Sequence, residues 1–96
     1  LKVSKKKYAR EYGSKIEIKV VIPTKSKENI SWFHNGRLLK TDNSNKYGRV
    51  STSQPSLKIK DLNIDDRGTY VCKVIFETED KEEKEIESLP VEVEPQ

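Results

Sequence analysis

The chain has 96 residues, 36% of them charged and 32% apolar, with a formal net charge of +3 at pH 7. That length sets a single domain, residues 1–96, and leaves so little apolar material that only a patterned sequence can offset the entropy of ordering. No run approaches the roughly 18–20 apolar residues that span a bilayer, no charged-then-apolar leader opens the chain, and one cysteine cannot form an internal disulfide.

The chain reads as a domain cut from a longer protein, so missing targeting signals carry no weight for the parent. The lone thiol favours a reducing compartment, because small secreted domains usually depend on disulfide staples.

Lys5-Lys6-Lys7 with Arg10 predict a basic N-terminal strand. Ile16, Ile18, Val20 and Ile22 then alternate with Lys15, Glu17, Lys19 and Val21, which predicts an antiparallel strand with one face on the core. Pro23 falls at its margin, where no ladder donor is needed. Ile30, Trp32 and His34 alternate with Ser31 and Phe33 on a second strand, and Asn35-Gly36 supplies a turn because both residues tolerate positive φ. Past Pro55, Leu57 and Ile59 alternate with Lys58 and Lys60; Tyr70, Cys72, Val74 and Phe76 alternate with Val71, Lys73, Ile75 and Glu77. Residues 79–87 are rich in Glu and Lys and lack an apolar face, so they read as a solvated hairpin tip rather than a helix. Leu89, Val91 and Val93 alternate with Pro90, Glu92 and Glu94, and the proline predicts an edge position or a bulge in that last strand. Strands this short, with turn signals about every 8–12 residues, predict an all-β sandwich or barrel.

Residues that could carry chemistry are few. His34 is the single histidine and has no second imidazole to share a metal with. Cys72 falls on a core face, where thiols are usually inert. Gly-rich phosphate loops, nucleophile elbows and metal motifs do not occur. The expectation is a non-catalytic chain with no cofactor. Asn29-Ile30-Ser31 fits a glycosylation acceptor, which has meaning only in a secretory setting.

Charge is divided along the chain: residues 1–50 hold 13 basic and 4 acidic side chains, residues 51–96 hold 6 and 12. Two local features stand out. Lys5, Lys6 and Lys7 make one end basic; Glu79, Asp80, Glu82 and Glu83, with Glu77, Glu85 and Glu87 around them, make the last hairpin acidic. Such charges discourage sheet-to-sheet association, and they equally suit docking of a charged protein partner steered by its field. Nucleic acid is not expected, since no aromatic platforms accompany the lysines and the acidic hairpin repels phosphate. Membrane insertion is not expected either.

Several motifs together resemble one family. Gly13, Ile16, Ile18 and Val20; Ile30, Trp32, Asn35 and Gly36 followed by Leu38-Leu39; Leu57, Ile59 and Leu62; and Asp66, Gly68, Tyr70 and Cys72 stand in the order and spacing of the intermediate (I) set of immunoglobulin domains. The chain is similar to the domains of giant muscle and cytoskeletal proteins of the titin and twitchin kind. The resemblance implies a two-sheet antiparallel sandwich of Greek-key topology over a buried strand-C tryptophan, with a tyrosine corner at the start of strand F. Val20 stands where the family's first cysteine would be, so no intradomain disulfide forms. The structural residues implied are Val20, Trp32, Leu57, Gly68, Tyr70 and Cys72, and an Arg49–Asp66 pair closing the bottom of the sandwich.

By the same resemblance, the function expected is a structural and protein-binding module of a larger, intracellular sarcomeric or cytoskeletal protein. It would serve as spacer, elastic element or docking point, with neighbouring domains or cytoskeletal proteins as partners. The alternative is an extracellular adhesion or receptor domain.

Overall fold

The computed structural model describes residues 2–21, 29–39, 46–48, 50–51 and 54–96. In chain order these form β1 (Lys2–Val3), β2 (Lys7–Arg10), β3 (Ile16–Ile18), β4 (Val20–Val21), β5 (Asn29–His34), β6 (Arg37–Leu38), β7 (Leu57–Ile59), a 3-10 turn (Ile64–Asp66), β8 (Gly68–Glu77), β9 (Glu83–Glu87) and β10 (Val91–Pro95).

Two layers result. One sheet runs β2–β10–β8–β5–β6, with β9 also on β8. In the other layer β1 pairs β4 and β3 pairs β7. Because β3 and β4 are one run broken only at Lys19, this layer continues from β1 to β7, and Tyr47 bridges onto Ile59 beyond it. All strand pairs are antiparallel except β2 on β10. The N-terminal chain thus changes layer between β1 and β2.

Period two does what it predicts. Ile16, Ile18 and Val20 from one layer, with Leu57 and Ile59, face Trp32, Tyr70, Cys72, Val74, Val91 and Val93 from the other in one buried cluster. Each of the larger side chains contributes about 1.5–3 kcal/mol by leaving water. Trp32 is 1% exposed and donates its indole N–H to the Pro55 carbonyl at 2.8 Å. Trp32 and Cys72 stand directly opposite each other in register, and Val20 lies in the same cluster. Cys72 is free, so aliphatic packing alone joins the layers where a disulfide would otherwise lie.

Of the two outcomes that Pro90 implies for the last strand, the bulge is the one found, and β10 lies between β2 and β8 rather than at an edge. Two other strand expectations need correction. Residues 83–87 are not part of the hairpin tip but a strand paired with β8. The alternation that placed Leu89 inward fails, for Leu89 is 55% exposed and Ser88 is buried instead. The reason is a bulge. Glu87 faces Lys73 and Val91 faces Tyr70, so three residues on one strand oppose two on the other. Ser88 stitches the gap: its N–H donates to the Cys72 carbonyl at 2.8 Å and its Oγ accepts from the Cys72 N–H at 2.9 Å. Ile22 and Pro23 lie outside the described residues.

Asn35-Gly36 turns β5 into β6 with φ of 50° and 84°, as expected of a two-residue loop. Asn35 also reaches across to accept from the Thr69 N–H at 2.9 Å. That contact explains Gly68, whose φ is +141° and whose missing Cβ would lie 2.4 Å from the Asn35 side chain. Gly68→Ala is therefore expected to cost about 2–3 kcal/mol, from backbone strain together with the displaced Asn35 contact. Chemical denaturation checks this; a loss below 0.5 kcal/mol, the ordinary surface range, would contradict it.

Candidate functional site

The tyrosine corner forms around Asp66. Tyr70 donates its hydroxyl to the Asp66 carbonyl at 2.8 Å. The Asp66 carboxylate accepts from the Asn63 N–H at 2.9 Å and, in return, Asn63 Oδ1 accepts from the Asp65 N–H at 2.8 Å, capping the 3-10 turn. Arg49 lies outside the described residues. Among those described, the cation on Asp66 is Lys46, whose Nζ sits 2.6 Å from Oδ2 and also donates to the Asp61 carbonyl at 2.8 Å. His34 stacks flat on Tyr70, centroids 4.3 Å apart, and donates its Nε2–H to the Arg67 carbonyl at 2.8 Å. All of these contacts hold the corner together. Among the described residues no three His, Cys, Asp or Glu side chains converge as a metal site would need.

The two charged regions are far apart. Lys7 pairs with Glu92, and Glu92 with Thr69, so the basic segment lies level with the start of β8. The acidic tip begins at Thr78, nine residues further along, roughly 30 Å at strand rise. The basic side is also partly neutralised. Lys7 meets Glu94 at 3.2 Å in the open, a contact worth about 0.2–1 kcal/mol, and Lys5 sits 5.7 Å over the Tyr8 ring. Lys6 is exposed.

The acidic side is more ordered. At the tip the Thr78 N–H donates to the Glu82 carbonyl at 2.8 Å, the Lys81 N–H to the Thr78 carbonyl at 2.9 Å, and Lys81 takes a φ of 61°. Glu79, Asp80, Glu82 and Glu83 are all exposed. On the outer face of the sheet, away from the core, Lys73 lies 2.8 Å from Glu85 and 3.4 Å from Glu87 and 5.1 Å over the Phe33 ring. Its hydrogen bond to Glu85 leads the interactions that raise its pKa. Sequence reading missed Lys73, Lys46 and Ser88, because each is defined by a cross-strand neighbour rather than by any local motif.

The profile of the immunoglobulin I-set domain matches residues 2–88. The chain belongs to the immunoglobulin I-set family. Among solved structures this I-set domain is similar to titin kinase and its flanking domains, at 26% identity over 94% of this chain and 16% of that one, with a TM-score of 0.64. It is also similar to extracellular domains 3–5 of Drosophila OTK, at 15% identity over 99% and 34% of the two chains and a TM-score of 0.74. A third likeness is to the V domain of amphioxus IgVJ-C2, at 16% identity over 92% and 98% and a TM-score of 0.74. The chain thus spans only a small part of the titin and OTK structures. No curated protein matches it. Domains of this family are generally non-catalytic and act in protein–protein interaction, and no helix among the described residues is long and apolar enough to cross a membrane.

Within the I-set core, burial pushes the Cys72 thiol from its ordinary 9.0 up to about 12. Burial likewise raises Tyr70, with Tyr47 and Asp66 nearby adding to it, and burial followed by Asp66 raises Tyr47. The folded state therefore keeps protons that the unfolded chain gives up as pH rises, so stability is fully present below about pH 9 and falls between about pH 9 and 12. The urea midpoint is expected to stay level from pH 7 to 9 and then drop; a level midpoint to pH 11 would contradict this. In the native domain Cys72 is expected to resist thiol reagents, and the melting temperature to ignore reductant.

Proposed function

We propose that this I-set domain is a non-catalytic spacer and protein-binding module of a larger intracellular protein of the sarcomeric or cytoskeletal class. The observation that carries the reading is the pairing of Val20 with a buried, free Cys72 in a core that packs fully without a cross-link. Such a core suits a reducing compartment, and the likeness to titin kinase and its flanking domains supports the same assignment. Neighbouring domains and cytoskeletal proteins are the partners proposed, the whole chain 1–96 acting as one unit. Trp32, Tyr70, Cys72, Val20 and Leu57 keep the module folded; the charged surfaces do the binding.

A second reading has its own observation. Asn29 is exposed at the start of β5, and the likeness to the extracellular domains of OTK accords with a surface protein. Intact-mass analysis of the native full-length protein, with imaging of its location, separates the two. Unmodified Asn29, a free Cys72 thiol and a filament-associated pattern are expected. An N-glycan on Asn29 would overturn the intracellular reading.

A further inference from the structure

β8 is flanked on one side by β5 and on the other by β9 and then β10. β10 is covered in turn by β2. β9 is different: among the described residues it pairs with β8 alone. The cause is the layer change of the N-terminal chain. The Lys6 carbonyl still accepts from the Glu92 N–H at 2.9 Å, but the Ser4 N–H already donates to Lys19 in the opposite layer at 3.2 Å. Cover therefore stops where the bulge at 88–90 separates β10 from β9.

The direction of the β9 backbone follows from the ladder. In an antiparallel pair, alternate residues bond toward the partner and away from it. The Thr78 N–H donates to the Glu82 carbonyl at one end, and the Ser88 N–H to the Cys72 carbonyl at the other, both at 2.8 Å. Residues 82, 84, 86 and 88 thus face β8, and Glu83, Glu85 and Glu87 turn their N–H and C=O groups to the open side. Ile86 packs against the core, so the side chains of those three glutamates stand together on the opposite, outer face.

We propose that this edge docks an extended basic segment of a partner protein, which joins the sheet as a further strand on the Glu83, Glu85 and Glu87 backbone and sets Lys or Arg at every second position against their carboxylates.

The register of backbone and charge is what selects the occupant. Residues of an added strand that bond to Glu83, Glu85 and Glu87 project to the same face as these side chains. Cations at i, i+2 and i+4 all reach the acidic row, whereas in a contiguous run every second one turns away. Lys73 offsets only part of the row, and Glu83 stands directly opposite Glu77, a like-charge pair that an incoming cation relieves. A second copy is the wrong occupant. Antiparallel pairing of two β9 strands about Glu85 would set Glu85 against Glu85 and Glu83 against Glu87. The inference rests on the domain being a protein-binding module and deepens that reading by naming the surface and the chemistry of its partner.

The test is fluorescence anisotropy of the folded domain with two blocked, labelled peptides of one composition, Thr-Lys-Val-Lys-Val-Lys-Thr and Thr-Val-Lys-Lys-Lys-Val-Thr. The alternating peptide is expected to bind at least about tenfold tighter, a difference of about 1.4 kcal/mol, and to slow hydrogen exchange at the amides of Glu83, Glu85 and Glu87. Glu85→Pro removes an outward donor without breaking the β8 ladder, and is expected to weaken binding about tenfold with little change in melting temperature. Should that variant unfold, Glu83→Lys, at an exposed position, is expected to weaken binding by a similar factor. Equal binding of the two peptides, no binding of either, or a Glu83→Lys variant that binds as tightly as the parent would overturn the proposal. Those results would leave a filament-associated location untouched, and an N-glycan on Asn29 would leave the edge measurement untouched, so the two readings fail separately.

Discussion

Trp32→Ala is expected to destabilise the domain by about 3–5 kcal/mol, the range for truncating a large buried aromatic. The indole is 1% exposed, sits between the layers and satisfies the Pro55 carbonyl at 2.8 Å. Its loss opens a cavity and orphans that carbonyl together. The effect is large against the whole stability of a domain this size, about 5–15 kcal/mol. It also falls on a core without the cross-link between positions 20 and 72 that would constrain the unfolded chain by about 3–4 kcal/mol. Urea unfolding followed by circular dichroism is expected to show the midpoint falling by about 2 M, taking a slope of 1–3 kcal/mol per M. Trp32→Phe is expected to lose roughly half as much, since the ring refills most of the space but cannot donate to Pro55. A loss below 1 kcal/mol for the alanine variant would mean that the indole is not the centre of the core.

The second large effect is expected at Asp66. Its carboxylate is 4% exposed and accepts from Lys46 and from the Asn63 N–H. Asp66→Ala takes from the Asn63 N–H its acceptor and from the Lys46 ammonium its carboxylate partner, and is expected to cost about 2–4 kcal/mol. The cost stays below that of a fully buried pair because the Lys46 side chain is 27% exposed and water can reach it. Lys46→Ala should cost less than Asp66→Ala, because the Asn63 cap survives it. The double variant should cost less than the two single losses together, since one contact cannot be lost twice. Strict additivity would show that the 2.6 Å contact contributes nothing.

Much of this fold is readable from residue order alone, because β3, β7 and β8 each carry an alternation whose apolar face is buried, and β5 centres on the buried Trp32. What escapes the reading is any feature created by one strand meeting another. The bulge at 88–90 is an instance, although a signal existed: Ile86 and Val91 are five apart, and an odd interval cannot keep both on one face without an extra residue. The cation on Asp66 is another. No local motif marks Lys46, twenty residues before Asp66, and only tertiary placement sets its ammonium on the carboxylate. The candidate surface was half legible. Its acidity is plain in the composition of residues 77–87, but the coincidence of acidic side chains with outward-facing backbone depends on which residues bond to β8, and that parity is set by the contacts of Thr78 and Ser88.

The register of Trp32 against Cys72 has a practical consequence. The domain's one indole and its one sulfur atom stand side by side in the dry interior. Emission from the native protein should be blue-shifted by the absence of water and dimmed by the neighbouring thiol. Opening the sandwich reverses both at once, giving a label-free optical gauge of whether the two sheets are closed.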